Sequence, residues 1–360
     1  MRDKIVLLII PLILLIPSIL TGVSPDRNAA RIELRKVQEF PAIPTSLREL
    51  YLWPKAFDRY IFDHFFMRNL LIRKISTFLY TFDISISKEV LIGKEGWLFL
   101  STNNDVVGKH RGIHNLSPKQ ANKWVQVMAS RARSLRQSGI ECWFVIIPNK
   151  HSIYPHYLPD WCTRVAPSLT DTLVQRLGMQ DDIHWIDLRP VMAEASKKFP
   201  VYVKYNTHWN DRGAYIAYTH IMQQLSGSLH IWHIPEGGIR FPDKSLSGDL
   251  ARLINLQNYL TEESPVAKIS HSSITKKTVP KNFQTESWWT TTSHPSARAA
   301  ILCDSFVYSY MQKYLQESFS YTFFHHHNGM RFNKDLILQQ HPDVVIYMVA
   351  ERLIPSRLPS

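Results

Sequence analysis

The apolar positions of this chain open with one unbroken block. Residues 5–23 read IVLLIIPLILLIPSILTGV, 19 positions without a charge. As a helix rising 1.5 Å per residue this block spans about 28 Å, close to the roughly 30 Å hydrocarbon core of a bilayer. Arg2 and Lys4 lie on its amino side. The short amino end is therefore expected in the cytoplasm, and everything after residue 23 on the outer side of the membrane, held by a single pass. The block ends in Leu20-Thr21-Gly22, a poor small-x-small cleavage signature, which favours an uncleaved anchor over a cleaved signal. Pro11 and Pro17 are tolerable in a membrane helix.

Beyond the block the pattern changes twice. Residues 24–88 scatter aromatic and basic positions (Tyr51, Trp53, Phe65, Phe66, Arg68) with few strand signals, and are expected to form a stalk and helical lead-in. Residues 89–360 read as one domain. Its first element, 90–100, is expected to be a strand pair turning at Gly93 to Gly96. Ser117 as cap, Pro118 in the first turn and Gln120 three residues after the cap predict a helix start. Trp124, Val127, Met128, Ala132 and Leu135 then share a face, and Gly139 closes the helix. The apolar run 142–147 follows as a buried strand.

That alternation recurs. A helix over 169–177 ends at Gly178 and leads into a strand over 183–187. A strand over 299–303 leads into a helix over 307–315, and a helix over 336–340 leads through Pro342 into a strand over 344–349. The pattern predicts a parallel sheet covered by helices on both faces, with its working site at the carboxyl ends of the strands.

Composition narrows the partners. The 360 residues carry 42 Lys and Arg against 30 Asp and Glu, a net of +12. That balance suits an anionic polymer, lipid or nucleic acid. The basic residues are dispersed without long runs, which argues against a nucleic-acid tail. Three cysteines without CxxC or Cys/His spacing make a disulfide scaffold or zinc site unsuited to the chain.

Two segments could carry chemistry. Cys303-Asp304-Ser305-Phe306 lies at a strand-to-helix junction, where a serine presents its hydroxyl beside the free N–H groups of the helix start. Lys204-Tyr205-Asn206-Thr207-His208-Trp209-Asn210 leads into a helix over 213–225. His208 is expected to open that helix, whose positive end would favour a neutral, proton-accepting imidazole. On residue types alone, Ser305 suits a helix cap and His208 a core position equally well.

In order along the chain stand GKEGWLFL (93–100), LSP (116–118), IPNKHSIYPHYLP (147–159), THWNDRGAY (207–215), SGDL (247–250), DSF (304–306) and PDVVIYMVAER (342–352). This ordered set resembles the SGNH-hydrolase-like alginate O-acetyltransferases of the AlgX/AlgJ type, and the anchored layout is more similar to the AlgJ kind. The resemblance implies a flavodoxin-like α/β domain that transfers acetyl to hydroxyls of an exported polysaccharide through an acyl-serine. It implies Ser305 as nucleophile, His208 as base and no cofactor. It also implies a membrane-bound O-acyltransferase partner that hands acetyl across the membrane. Two positions depart from the family pattern. Asn206 stands where an Asp usually orients the histidine, and Cys303 stands where Gly usually precedes Asp-Ser. The same residues would serve an acetylesterase, and Asn206 would suit a scaffolding subunit of an acetylation complex.

Other candidates sit at the margins. Asn149, Lys150 and Tyr154 follow a strand end and suit substrate binding or a structural turn. Arg352 follows the last strand and suits an anionic sugar or a solvated surface. Asp182-Ile183-His184-Trp185 spells the family's D-x-H-W more closely than 206–209, but within an expected strand. His325-His326-His327 reads as a polar loop, because three consecutive residues in regular structure do not face one ion. Trp288-Trp289 suits sugar stacking or the core.

Overall fold

The computed structural model describes residues 38–355, apart from 66–67, 103–104, 283–285 and 328. The apolar block at 5–23 lies outside the described residues, and no helix among them is long and apolar enough to cross a membrane. The chain divides into two compact units.

The first unit contains the helices Leu47–His64 and Arg68–Tyr80, together with Ala251–Leu260. Ser46 caps the first helix, its Oγ accepting from the Glu49 N–H at 3.2 Å. Trp53 and Phe57 stack at 4.9 Å along that helix, at i and i+4 spacing.

The second unit is built on a seven-stranded sheet. Its strands in chain order are β1 (Glu141–Ile147), β2 (His184–Asp187), β3 (Ile274–Lys277), β4 (Ser287–Thr292), β5 (Arg298–Cys303), β6 (Tyr321–His326) and β7 (Val344–Ala350), in the spatial order β2-β1-β7-β5-β6-β4-β3. The first five in that order run parallel. β4 and β3 add an antiparallel edge, so the sheet is mixed where alternation alone predicted a parallel one. Among the described residues of 274–292 there is no helical crossover, and hairpin-type pairing needs none.

Period-two alternation in the central strands divides the core between two faces. Ile301 and Cys303 of β5 join Ile346 and Met348 of β7 on one face, beneath the helix Asp211–Leu225. Ala300 and Leu302 join Val345 and Tyr347 on the other, beneath the helices Pro118–Arg136 and Leu169–Leu177. Every residue of β7 is buried, the signature of a strand covered on both sides. Ser117 and Gln120 form the expected capping box. Trp288 is fully buried and stacks on Phe324 at 5.3 Å, so it belongs to the core. The carboxyl ends of β1, β7 and β5, which are neighbours, bring the segments after 147, 350 and 303 to one edge.

Candidate active site

Ser305 is set by the turn at the end of β5. Asp304 is fully buried. Its Oδ1 accepts from the Phe306 N–H at 2.9 Å, and its Oδ2 accepts from the Ala350 N–H at 2.8 Å. One carboxylate thus ties the start of the following helix to the end of β7. That helix begins at Ser305, two residues earlier than the pattern predicted, and carries a π turn over Val307–Met311 before Gln312–Ser318. Such widened turns concentrate at functional sites. Cys303 keeps strand pairing with His326, so the position needs no glycine. Burial raises its thiol well above the usual range, which makes it unreactive.

His208 comes from the loop before the helix Asp211–Leu225. Asn210 caps that helix, accepting from the Gly213 N–H at 2.8 Å, so His208 precedes the helix and does not open it. The loop is held from several sides. Tyr202 and Trp209 form a β-bridge, Trp209 Nε1 donates to the Phe306 carbonyl at 3.2 Å, and Lys150 Nζ donates to the Val203 and Lys204 carbonyls at 3.0 and 2.9 Å.

These supports bring Ser305 Oγ to 2.9 Å from His208 Nε2, across 97 positions of sequence. On the other side of the ring, Nδ1 lies 2.8 Å from Asn206 Oδ1 and 3.0 Å from Thr207 Oγ1. Asn206 Oδ1 also accepts from the His208 backbone N–H at 3.0 Å, which fixes the amide with its oxygen toward the ring. Nδ1 therefore carries the proton and Nε2 is left to accept one from the serine. Burial first, opposed by the Asp249 carboxylate and aided by Arg352, pushes His208 down to about 4. The neutral imidazole expected from a helix end is thus produced by desolvation.

The remaining candidates separate by position. Lys150 is buried under the loop, its ammonium 5.6 Å from the Trp97 ring and 5.3 Å from the Phe99 ring. Tyr154 is buried with its hydroxyl accepting from the Val201 N–H at 2.9 Å. Both belong to the framework beneath the site. Asn149 donates its backbone N–H to Glu351 at 2.6 Å, and its side-chain oxygen is buried without a hydrogen-bond partner among the described residues. Arg352 is buried, not solvated, with its guanidinium 4.8 Å over the Phe306 ring. His184 opens β2 at the amino end of the strand, stacked on Trp143. Three strand spacings of about 4.8 Å separate β2 from β5, so His184 is remote from Ser305. His325 and His326 end β6 and are not loop residues. His327, just beyond, accepts from the Met330 N–H through Nδ1.

Beside the pair lies a cleft of about 410 Å³ whose walls include Asn206, His208, Asp249, Tyr310, Lys244 and Lys313. Four of these were not singled out from sequence. Asp249 falls within the SGDL segment, but a carboxylate 42 positions from Thr207 gives no local signal of its target. Its Oδ1 accepts from the Thr207 N–H at 2.8 Å, its Oδ2 accepts from the Thr207 hydroxyl at 2.5 Å, and Oδ2 stands 3.6 Å from His208 Nδ1.

A parallel-centred sheet with a serine after its middle strand, paired to a histidine from a neighbouring loop, is an SGNH-hydrolase-like α/β domain. The family described as SGNH hydrolase-like domain, acetyltransferase AlgX, matches residues 90–320, and the chain belongs to that family. Among solved structures, Bacillus cereus PatB1 with a sulfonyl adduct is similar at a TM-score of 0.54 and 15% identity, over 73% of this chain and 93% of that one. The O-acetyltransferase domain of Pseudomonas putida AlgJ is similar at a TM-score of 0.50 and 16% identity, over 75% and 93%. At these identities the likeness is one of fold. No curated protein matches the chain by sequence.

Proposed function

We propose that the protein is an O-acetyltransferase that adds acetyl groups to hydroxyls of an exported, alginate-like polysaccharide through an acyl-serine. The observation that carries this reading is the 2.9 Å contact between Ser305 Oγ and an imidazole nitrogen that lacks a proton. As Oγ bonds to the acetyl carbonyl carbon, His208 Nε2 takes the hydroxyl proton and then gives it to the departing donor group. In the second half, a sugar hydroxyl gives its proton to Nε2 and bonds to the same carbon, and Ser305 leaves and regains its proton. The Phe306 N–H is already held by Asp304, so the Ser305 N–H at the helix start is the donor at hand for the oxyanion.

The cleft supports a sugar acceptor. Tyr310 offers a ring beside His208, 5.9 Å between centroids, and Lys244 suits a carboxylate of a uronic-acid chain, while Lys313 is paired with Asp211 at 2.7 and 2.8 Å. A periplasmic enzyme has no free acetyl-CoA, so the reading includes a membrane-bound O-acyltransferase as donor partner and the 5–23 block as inner-membrane anchor. Purified protein given an activated acetyl ester and a uronic-acid oligosaccharide tests it. Acetyl on the oligosaccharide, lost in Ser305→Ala, is the expected result. Free acetate without transfer assigns an esterase instead, and transfer unchanged in Ser305→Ala overturns the reading.

A further inference from the structure

Asn206 holds the tautomer of His208 but has no charge to offer the imidazolium that forms when Ser305 gives up its proton. In one serine protease an Asp-to-Asn change at the equivalent role cost about 10⁴ in rate. An amide alone is therefore a poor substitute unless a carboxylate acts from elsewhere. Asp249 stands where that carboxylate is needed. Both of its oxygens are committed to Thr207, one to the backbone N–H and one to the hydroxyl. The same hydroxyl oxygen lies 3.0 Å from His208 Nδ1. The atoms form a line from Asp249 Oδ2 through Thr207 Oγ1 and the imidazole to Ser305 Oγ, with each hydrogen bond able to point the same way.

We propose that Asp249, acting through the Thr207 hydroxyl and across the 3.6 Å gap to Nδ1, supplies the negative charge that the usual aspartate supplies from position 206. Asp249 is thus a positioning and charge-stabilising residue for His208, and the work of one aspartate is divided between two side chains. Asn206 fixes the ring, and Asp249 stabilises its protonated form. Gly248 makes the division possible. A Cβ at that position would fall 1.9 Å from the Tyr205 carbonyl oxygen and 2.6 Å from the Asn206 nitrogen, so only glycine lets the 247–249 segment lie against the 205–207 backbone. The Asp249 carboxylate opposes the downward push of burial on His208.

The inference rests on the acyl-serine reading, and a double-mutant cycle separates the two. Ser305 is labelled with a fluorophosphonate over a range of pH in the wild-type chain, Asp249→Asn, Asn206→Asp and the double variant. Asp249→Asn is expected to slow labelling and to lower the pH midpoint of the reaction, because the imidazolium loses its stabilising charge. Asn206→Asp is expected to speed labelling about tenfold more in the Asp249→Asn background than in the wild-type background, the non-additivity of residues that share one task. A purely structural Asp249 would not be rescued by a carboxylate at 206. Equal gains in the two backgrounds overturn the inference alone, whereas no labelling of wild-type Ser305 overturns the reading beneath it. If Asp249→Asn does not fold, Thr207→Val takes its place in the same cycle. Labelling of Thr207→Val at the wild-type rate then overturns the inference.

Discussion

Gly248 lies against the Tyr205 carbonyl with no room for a side chain between them: a Cβ at 248 would sit 1.9 Å from that oxygen. The approach matters because Asp249, one residue after Gly248, and Thr207, two residues after Tyr205, are hydrogen-bonded to one another. Gly248→Ala must push one backbone away from the other. Strain of this kind typically costs about 1–3 kcal/mol, and a displacement of about 1 Å at a reacting pair costs about 10² in rate. We expect Gly248→Ala to fold with a lowered melting temperature and to acylate Ser305 about 10²-fold more slowly. Wild-type kinetics in this variant would show that the close approach has no part in positioning His208.

The loop is also held from below by a buried ammonium. Lys150 Nζ donates to the carbonyls of Val203 and Lys204, and burial pushes this lysine down to about 7. Lys150→Met fills a similar volume but removes the charged donor from both carbonyls, which keep only the Asn206 and Leu98 backbone N–H groups, each at 3.2 Å. A hydrogen bond from a charged group contributes about 1.5–3 kcal/mol, so denaturant unfolding of Lys150→Met should reveal a loss of about that size, with acylation slowed. Stability equal to wild type would mean that the Asn206 and Leu98 N–H groups satisfy the two carbonyls by themselves.

Acid should act on the site and on the fold in different ways. His208 is held down to about 4, so it stays a base at pH values where a free imidazole is mostly protonated. The Ser305 acylation rate is expected to be level from neutral pH to about 5.5 and to halve near pH 4. A midpoint near 6.5 would mean that His208 is not desolvated as described.

His110, His151 and His327 are pushed down by burial to about 4, about 3 and about 4. Between the ordinary value of 6.5 and these depressed values, the unfolded chain binds protons that the folded chain refuses. Stability is therefore full above pH 6.5 and falls as the pH drops through this window. Thermal unfolding followed from pH 7 to pH 4 should give a steadily falling midpoint. A flat profile would contradict the burial of these rings.

Where local rules and tertiary packing agree, the sequence foretells the structure. The capping box at Ser117 and Gln120 needs only residues three apart, and the strands around Val345 and Ile301 announce themselves as apolar runs. The antiparallel edge was not legible, because Ser287–Thr292 and Ile274–Lys277 carry polar residues that suit a sheet margin as well as a loop. Ser305 and His208 were found through short segments and their family likeness. Asp249 was missed for a physical reason: its partner is distant in sequence, and the glycine that lets it approach says only that something is close, not what. The sequence left Lys150 open between substrate binding and a structural turn, and Arg352 between an anionic sugar and a solvated surface; charged side chains are seldom buried, yet the structure turns both inward.

The account stands on Ser305 becoming acylated with His208 as its base. Mass spectrometry of peptides from the protein after brief exposure to 4-nitrophenyl acetate at neutral pH tests this directly. The predicted result is an acetyl group on the peptide bearing Ser305, present in the wild-type chain and absent or strongly reduced in His208→Ala. An unmodified Ser305 in the wild-type chain, or equal acetylation in His208→Ala, would contradict it.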